Sequence, residues 1–514
     1  MANTTTNKKY LYGGLENFQV ILYNKYDPTK KLDITGNIID ATIYEDIFSH
    51  SMFGSISIMD AIDLLNAISL KSIGAANPPS KSNSFPIVGE EVIRLVYNVV
   101  GNKTIDSVYE VYGISEIFTD QNLKVRTFNL KFCSREQIVD SYTLIQKGFH
   151  QPISNTAQTI FQTFLTTEVT NVYSNNNFNT LANFPKPKDI IVEPTNGNQK
   201  IVIPRLSPFE SMDFLRKRSL SSTNPSGTYL FFETMDNYYF CDMEFLIKQG
   251  IQKQANSSYS NGTFTYTLAS QIIKPDTDIT SKETANNITS QYKSVTSVTQ
   301  HNKFDTIEKL KLGVYESDIF LYDFLNTSVS NPHFKLSAAP TVTTLGKNIE
   351  NSKSFLAQVN NKYTRKFFLP IDSSVPNTYI EQILPRKTSY FARLAENSFT
   401  IDTIGDTNIK AGDVINFDFP TLIDDGQVSP NKDRFLSGNF LVGSIMHKLT
   451  PIAYHATMDI YKIGYESAVE SPADDNPNYS SLTPTFNTAN NVNGYNQQTT
   501  QGNPVSNFFG NLFK

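Results

Sequence analysis

At 514 residues the chain is long enough for several domains, each able to bury a core without help from disulfides or metals. Its 44 basic residues against 49 acidic ones give a net charge of -5 and a pI of about 5.8, so the whole molecule does not attract nucleic acid or an anionic membrane, and DNA binding would need a local basic patch. The segment 1–9 is polar and lacks the apolar core of a signal peptide, and no stretch approaches about 18 consecutive apolar residues, so neither a secretory signal nor a helical membrane span is expected.

Aromatics are abundant, with 36 Phe and 26 Tyr but no Trp, and they come with many Thr, Ser, Ile and Asn residues, a mixture that favours strands joined by polar turns. From residue 17 to 132 the sequence breaks into short alternating runs of period two. Ile93, Leu95, Tyr97 and Val99 share one face against Arg94 and Asn98, and Phe128, Leu130 and Phe132 oppose Thr127, Asn129 and Lys131. The period changes at Ser134, where Ser134 and Gln137 stand at capping-box spacing and Ile138, Tyr142 and Ile145 follow at helical intervals. A second helix of roughly two and a half turns is expected from Ser154, with Ala157, Ile160, Phe161, Phe164 and Leu165 as its apolar stripe. Ser207-Pro208-Phe209-Glu210 then supplies N-cap, proline at N1 and glutamate at N3.

Strands resume in 227–245, where Tyr229 to Phe232 and Tyr238 to Phe240 flank a turn at Met235-Asp236-Asn237. Residues 271–300 are polar and weakly patterned and read as a linker or surface excursion, and the stretch 304–379 mixes short apolar runs with polar loops. Alternation returns from Phe391 to Tyr465, with Ile415, Phe417 and Phe419 on one face and Leu441, Gly443 and Ile445 on another. Beyond Glu466 a Pro/Asn/Thr/Ser/Gln-rich tail lacks the apolar content to fold alone, apart from an aromatic tip at Phe508, Phe509, Leu512 and Phe513 of the kind that docks into a partner.

Candidate chemistry is sparse. Phosphate-loop, dinucleotide, nucleophile-elbow and zinc-protease signatures are all missing from the sequence. Cys133 and Cys241 read as buried small hydrophobes. Of the six histidines, His50, His150, His301, His333, His447 and His455, only the last two lie close together, on strands that could pair. Without a nearby carboxylate or cysteine they make a poor metal site. Glu90-Glu91, Asp424-Asp425 and Asp474-Asp475 would be the raw material for acid/base hydrolysis, but adjacent residues on a strand face opposite sides, so the expectation is solvated acids. Arg216, Lys217 and Arg218 end a predicted helix and suit its macrodipole, and the basic and aromatic residues of 363–368 fit a strand with exposed cations. No catalytic, cofactor-binding or metal-ligating residue is therefore assigned.

Three stretches carry a family resemblance. The first is Ile43-Tyr44-Glu45-Asp46, then Gly54-Ser55-Ile56-Ser57-Ile58-Met59-Asp60, Leu64-Leu65, and Pro86-Ile87-Val88-Gly89-Glu90-Glu91-Val92. The second is Pro204 to Arg218. The third runs through Ile409-Lys410-Ala411-Gly412-Asp413-Val414-Ile415 and Gly438-Asn439-Phe440-Leu441-Val442 to His447. In this order they resemble the baseplate central hub proteins of contractile-tailed bacteriophages, a family related to the N-terminal region of the type VI secretion spike protein. They cover about half of the chain, and the middle section and the tail match nothing in that family.

The resemblance implies a mainly β protein with α+β insertions: a first tube-type antiparallel β-barrel at 14–133, an α+β domain at 134–270, a linker or insertion at 271–380, a second tube-type barrel at 381–466 completed by earlier strands, and a disordered low-complexity tail at 467–514. It further implies a non-enzymatic homotrimer that adapts a hexameric tail tube to a trimeric central spike and lines a channel for the transient, non-specific passage of DNA. Implied partners are the spike, the tail tube or tube-initiator protein, baseplate wedge components and the tape measure protein, in a virion tail assembled in the host bacterial cytoplasm. Two other readings stay open. A spike or secretion-system component would need periodic needle repeats that the tail lacks, and a wall-degrading tail enzyme would need an acid pair or metal constellation between residues 134 and 380.

Overall fold

The computed structural model describes residues 14–61, 87–99, 102–120, 125–224, 226–256, 265–268, 294–301, 305–336, 365–371, 378–394, 396–419, 433 and 436–462. The fold is mainly β with α+β regions. The tail 467–514, Asp424-Asp425, Asp474-Asp475, Leu64-Leu65 and Tyr363 lie outside the described residues.

The first group of strands is β1 (Leu15–Tyr23), β2 (Lys31–Asp33), β3 (Ile38–Asp46), β4 (Phe53–Asp60), β5 (Val92–Val99), β6 (Ile105–Asp120) and β7 (Val125–Ser134). They pair in the order β2-β1-β5-β6-β7-β4-β3, and each ladder is antiparallel. The face selected by the period of two goes inward: Ile93, Leu95, Tyr97, Val99, Phe128, Leu130 and Phe132 are all buried. The gap between β1 and β4 is spanned by a short turn. Thr35 Oγ1 accepts from the Val20 amide at 3.0 Å, and Asn37 Nδ2 donates to the Met59 carbonyl at 3.1 Å.

An α+β region follows. It comprises α1 (Arg135–Tyr142), β8 (Ile145–Gln151), α2 (Ile153–Ile160), a π-helical turn at Phe161–Thr166, α3 (Thr167–Asn175), β9 (Ile190–Val192), β10 (Gln199–Leu206), α4 (Pro208–Arg216), β11 (Tyr229–Glu233), β12 (Tyr238–Asp242) and α5 (Met243–Asn256). The start of α4 forms as its sequence requires: Ser207 and Glu210 make a full capping box with Pro208 in the first turn, worth about 1 kcal/mol. The start of α1 differs. Ser134 makes no cap bond there, because its hydroxyl is drawn to the buried carboxylate of Glu233, and Ile145 belongs to a strand that pairs with β10. The second helix also outruns its expected length, continuing through the π turn to Asn175 with Phe161, Leu165 and Val169 buried. The expected hairpin pairs Phe231 with Phe240.

The remaining elements are β13 (Thr265–Leu268), β14 (Ser294–His301), α6 (Thr306–Leu312), β15 (Glu316–Asp323), β16 (Ser328–Ser330), β17 (His333–Lys335), β18 (Arg365–Ile371), α7 (Ile380–Leu394), β19 (Asn397–Ile404), β20 (Val414–Asp418), β21 (Gly438–Leu449) and β22 (Tyr454–Lys462). Strands β15 to β18 form a small separate sheet. The ring β21-β20-β13-β14-β19-β22 closes on itself through a β22–β21 ladder, giving a six-stranded barrel. It is not wholly antiparallel, because β13 runs parallel to both neighbours. Two expectations change here. Ser294–His301, read as part of a linker, is a barrel strand, and Phe391 lies in the last turn of α7, so the alternating run begins at Asn397. Strand β3 pairs with β21 from Asp46↔Ser444 to Ala41↔Leu449, so the two barrels share one 13-stranded sheet, and one apolar core runs through both.

Candidate functional site

The seam between the barrels carries an organised set of polar contacts on both its faces. Alternation along β3 sends Ala41, Ile43 and Glu45 inward and Thr42, Tyr44 and Asp46 outward. Outside, cross-strand register builds two rows across the seam, with hydroxyls and carboxylates on the second barrel and, on the first, Asp46 in one row and the aromatic Tyr44 and Phe53 in the other. One row is Thr299, Thr400, Asp459, Ser444 and Asp46; the next is Ser297, Asp402, Thr457, Met446, Tyr44 and Phe53. The rows are stitched sideways. Thr400 and Ser444 donate to the two oxygens of Asp459 at 2.6 and 2.7 Å, and Thr457 and Ser297 do the same for Asp402. Burial pushes the Asp46 carboxyl above its usual range, and nearby Asp459 adds to the rise. Such a face is wettable and weakly acidic, so it gives a polyanion no grip.

Inside, two buried glutamates clamp the barrels and the α+β region together. Glu45 accepts from the backbone amides of Met235 and Ala411, both at 2.8 Å, and so ties β3 to the β11–β12 turn and to the loop before β20. Glu233 returns the grip, accepting from the Met52 amide at 2.8 Å, from the Ser134 hydroxyl, and from Lys188 Nζ at 2.7 Å. Around them, Lys410 Nζ donates to the Tyr239 hydroxyl at 2.7 Å, Lys103 meets Asp236, and Asn102 Nδ2 donates to Asp406 at 3.1 Å. These carboxylates are spent on main-chain donors and cations, which is what a rigid joint needs.

His447 and His455 do lie on paired strands, but on opposite faces. His447 is buried, with Nδ1 2.6 Å from the Tyr454 hydroxyl and Nε2 3.8 Å from Glu45, whereas His455 points outward opposite Lys448. Both cysteines are buried, and desolvation raises their thiols, Cys133 to about 12. Glu91 corrects the expectation of solvated acids. It is buried and accepts from the amides of Val88 and Gly89 at 2.6 and 3.0 Å, capping the turn into β5, while Glu90 accepts from the Tyr26 hydroxyl. Arg216 and Lys217 both reach Asp213, which also accepts from His50 at 2.8 Å. Among the described residues, no group of three or more His, Cys, Asp or Glu side chains is placed to hold a metal ion, and no helix is long and apolar enough to cross a membrane.

Sequence reasoning passed over Glu45 and Glu233, although a signal was present: each is an acid at an inward position of an alternating or fully apolar run. No protein-family model matches the chain, and no curated protein matches it. Solved structures that resemble it include two tail proteins, a component of the type VI secretion system and a PdpA–VgrG complex. A tail protein from Neisseria meningitidis MC58 aligns over 87% of this chain and 97% of its own at 9% identity and a TM-score of 0.43. The 43 kDa tail protein of prophage MuSo2 from Shewanella oneidensis aligns over 87% and 98% at 9% identity and a TM-score of 0.46. An E. coli component of the type VI secretion system aligns over 84% and 76% at 9% identity and a TM-score of 0.34.

Proposed function

We propose that this chain is the structural hub of a contractile-tail baseplate: a non-catalytic homotrimer whose paired barrels adapt a hexameric tail tube to a trimeric central spike. The observation that carries this reading is the β3–β21 ladder, which fuses two barrels of one chain into a single sheet. A threefold ring of such chains presents barrels at sixfold spacing, so one face can match a sixfold tube while the other keeps threefold symmetry. The rows of Asp, Ser and Thr around Asp402 and Asp459 line the channel, letting DNA slide past without being held. Spike, tube or tube initiator, wedge components and tape measure protein are the partners of such a ring, and the virion tail is its location.

Native mass spectrometry of the full chain, alone and mixed with its spike, is expected to give a trimer, with a ring of six barrel-sized densities in electron-microscopy averages. A chain that stays monomeric in both conditions overturns the hub reading. Clearing of bacterial cell wall in a zymogram overturns the non-catalytic part alone.

A further inference from the structure

Strand β6 is twice as long as the neighbour it leaves behind. β5 pairs only with Ile105–Glu110 of β6 and the Val111 amide still donates to the Glu91 carbonyl, so among the described residues the stretch from Tyr112 to Asp120 is paired by β7 on one side alone. Open strand edges are usually blunted by bulges, and two register shifts occur here, with Glu116 in the left-handed region at φ 55°. The effect of the bulges is to turn apolar side chains outward. Ile117 is 59% and Phe118 65% exposed, Tyr112 precedes them, and Met59 sits in the same cross-strand row as Phe118, two strands away. Glu116, exposed and held at the bulge by Asn129, and Asp120 flank the pair, while Arg126 is on the return strand.

Elsewhere on the chain lies a groove of the opposite character. A cavity of about 310 Å³ opens between β10, the end of α4 and the start of α7. Its apolar lining includes Val202, Phe214 and Ile383, and Lys200, Lys217 and Arg218 line it as well. Arg218 is stacked 3.7 Å over the Phe214 ring and donates to the Phe214 carbonyl, which holds the guanidinium at the groove mouth. The region is crowded with cations. Lys387 beside it is lowered by burial first and then by Arg216 and Lys217, and among the described residues Asp213 is the carboxylate within ion-pair range of Arg216 and Lys217.

We propose that the Ile117–Phe118 ridge of one copy seats in this groove of the next copy, with Glu116 meeting Lys217 and Arg218. The inference rests on the trimeric reading and names the surfaces that close the ring. A ridge and a groove that are unlike in shape and opposite in charge, on one chain, suit a head-to-tail contact, which generates a closed ring under threefold rotation. A self-complementary contact through the ridge would instead set Glu116 against Glu116.

Sedimentation velocity on the full chain tests this directly. Glu116→Lys alone, or Lys217→Glu with Arg218→Glu, is expected to weaken trimerisation at least tenfold, and all three changes together to restore it. Ile117→Ser with Phe118→Ser alters only exposed side chains, so it is expected to yield a monomer that is still folded, with the wild-type far-ultraviolet circular dichroism. A wild-type trimer untouched by either charge reversal, or a triple variant that stays dissociated, overturns the proposal while leaving the ring intact. Swaps that spare the trimer but abolish binding to the spike or tube assign the ridge to that partner and also overturn it. A wild-type chain that never trimerises overturns the ring reading and this inference with it.

Discussion

The two barrels reach similar shapes by different routes. The first takes its seven strands from one nearly continuous stretch, β1 to β7, and leaves an opening that a short turn spans through Thr35 and Asn37. The second gathers β13 and β14 from far upstream of β19 to β22 and closes completely through β21–β22. Local pairing is fast and cheap in loop entropy, whereas the second barrel cannot close until the small sheet and its flanking helices, which lie between β14 and β19, have been accommodated. Through Glu45 the loop before β20 is tied to the first barrel and to the α+β region, and Glu233 ties those two to each other.

Breaking those ties should have the largest effect. Glu45→Ala leaves the part-buried amide of Met235 and the buried amide of Ala411 without an acceptor and is expected to cost about 3–5 kcal/mol in denaturant unfolding. A loss below about 1 kcal/mol would mean that the barrels stay together without the clamp. Glu233→Ala should be comparable, because it strands Lys188, only 15% exposed, against the core.

A smaller contrast sets one barrel wall against the other. A methyl group at Gly54 of β4 would overlap both the fully buried Phe132 ring and the Thr42 carbonyl, neither of which can yield. At Gly443 of β21 the obstacle is Tyr461, a half-buried ring that can swing toward solvent. Gly54→Ala is therefore expected to cost about 1–3 kcal/mol and Gly443→Ala less than about 1, read as melting temperatures of the two variants. Equal losses would show that the second wall is as tightly packed as the first.

The same contrast governs what the sequence discloses. In the first barrel the period of two identifies the buried faces of β5 and β7 residue by residue, because each strand is long and half-solvated. In the second, β14 reads as linker: its run Ser294–His301 is Ser, Thr, Gln and His apart from two valines, since only Val295 is fully buried and its other face belongs to the polar outer rows. Phe391 misleads for the opposite reason. Its apolar neighbours serve a helix packed on Ala411 and Leu441, and a short apolar run does not reveal its period. The clamp itself leaves only a faint mark, a single acid at an inward position. The clamp's meaning depends on main-chain donors nearly two hundred and more than three hundred residues away, which no local pattern encodes.

The finest test lies on the seam's outer side, where the barrels meet through Asp46 and Ser444. Burial, and then the charge of Asp459, raise the Asp46 carboxyl above its unfolded value near 3.9, against the opposing pull of the Phe48 amide that donates to it at 2.8 Å. A carboxyl whose folded pKa is raised favours the folded state while protonated. Its contribution is lost as pH climbs from the unfolded value through the folded one. Asp46→Asn keeps the Oδ1 acceptor for Phe48 but never ionises. The variant and the wild type should match in stability near pH 3 and diverge as pH rises toward neutrality, with the Asn form gaining, as read from chemical denaturation across that range. A constant offset at every pH would mean that Asp46 ionises in the seam as freely as in the unfolded chain. The acidic rows would then cross from one barrel to the other without electrostatic strain.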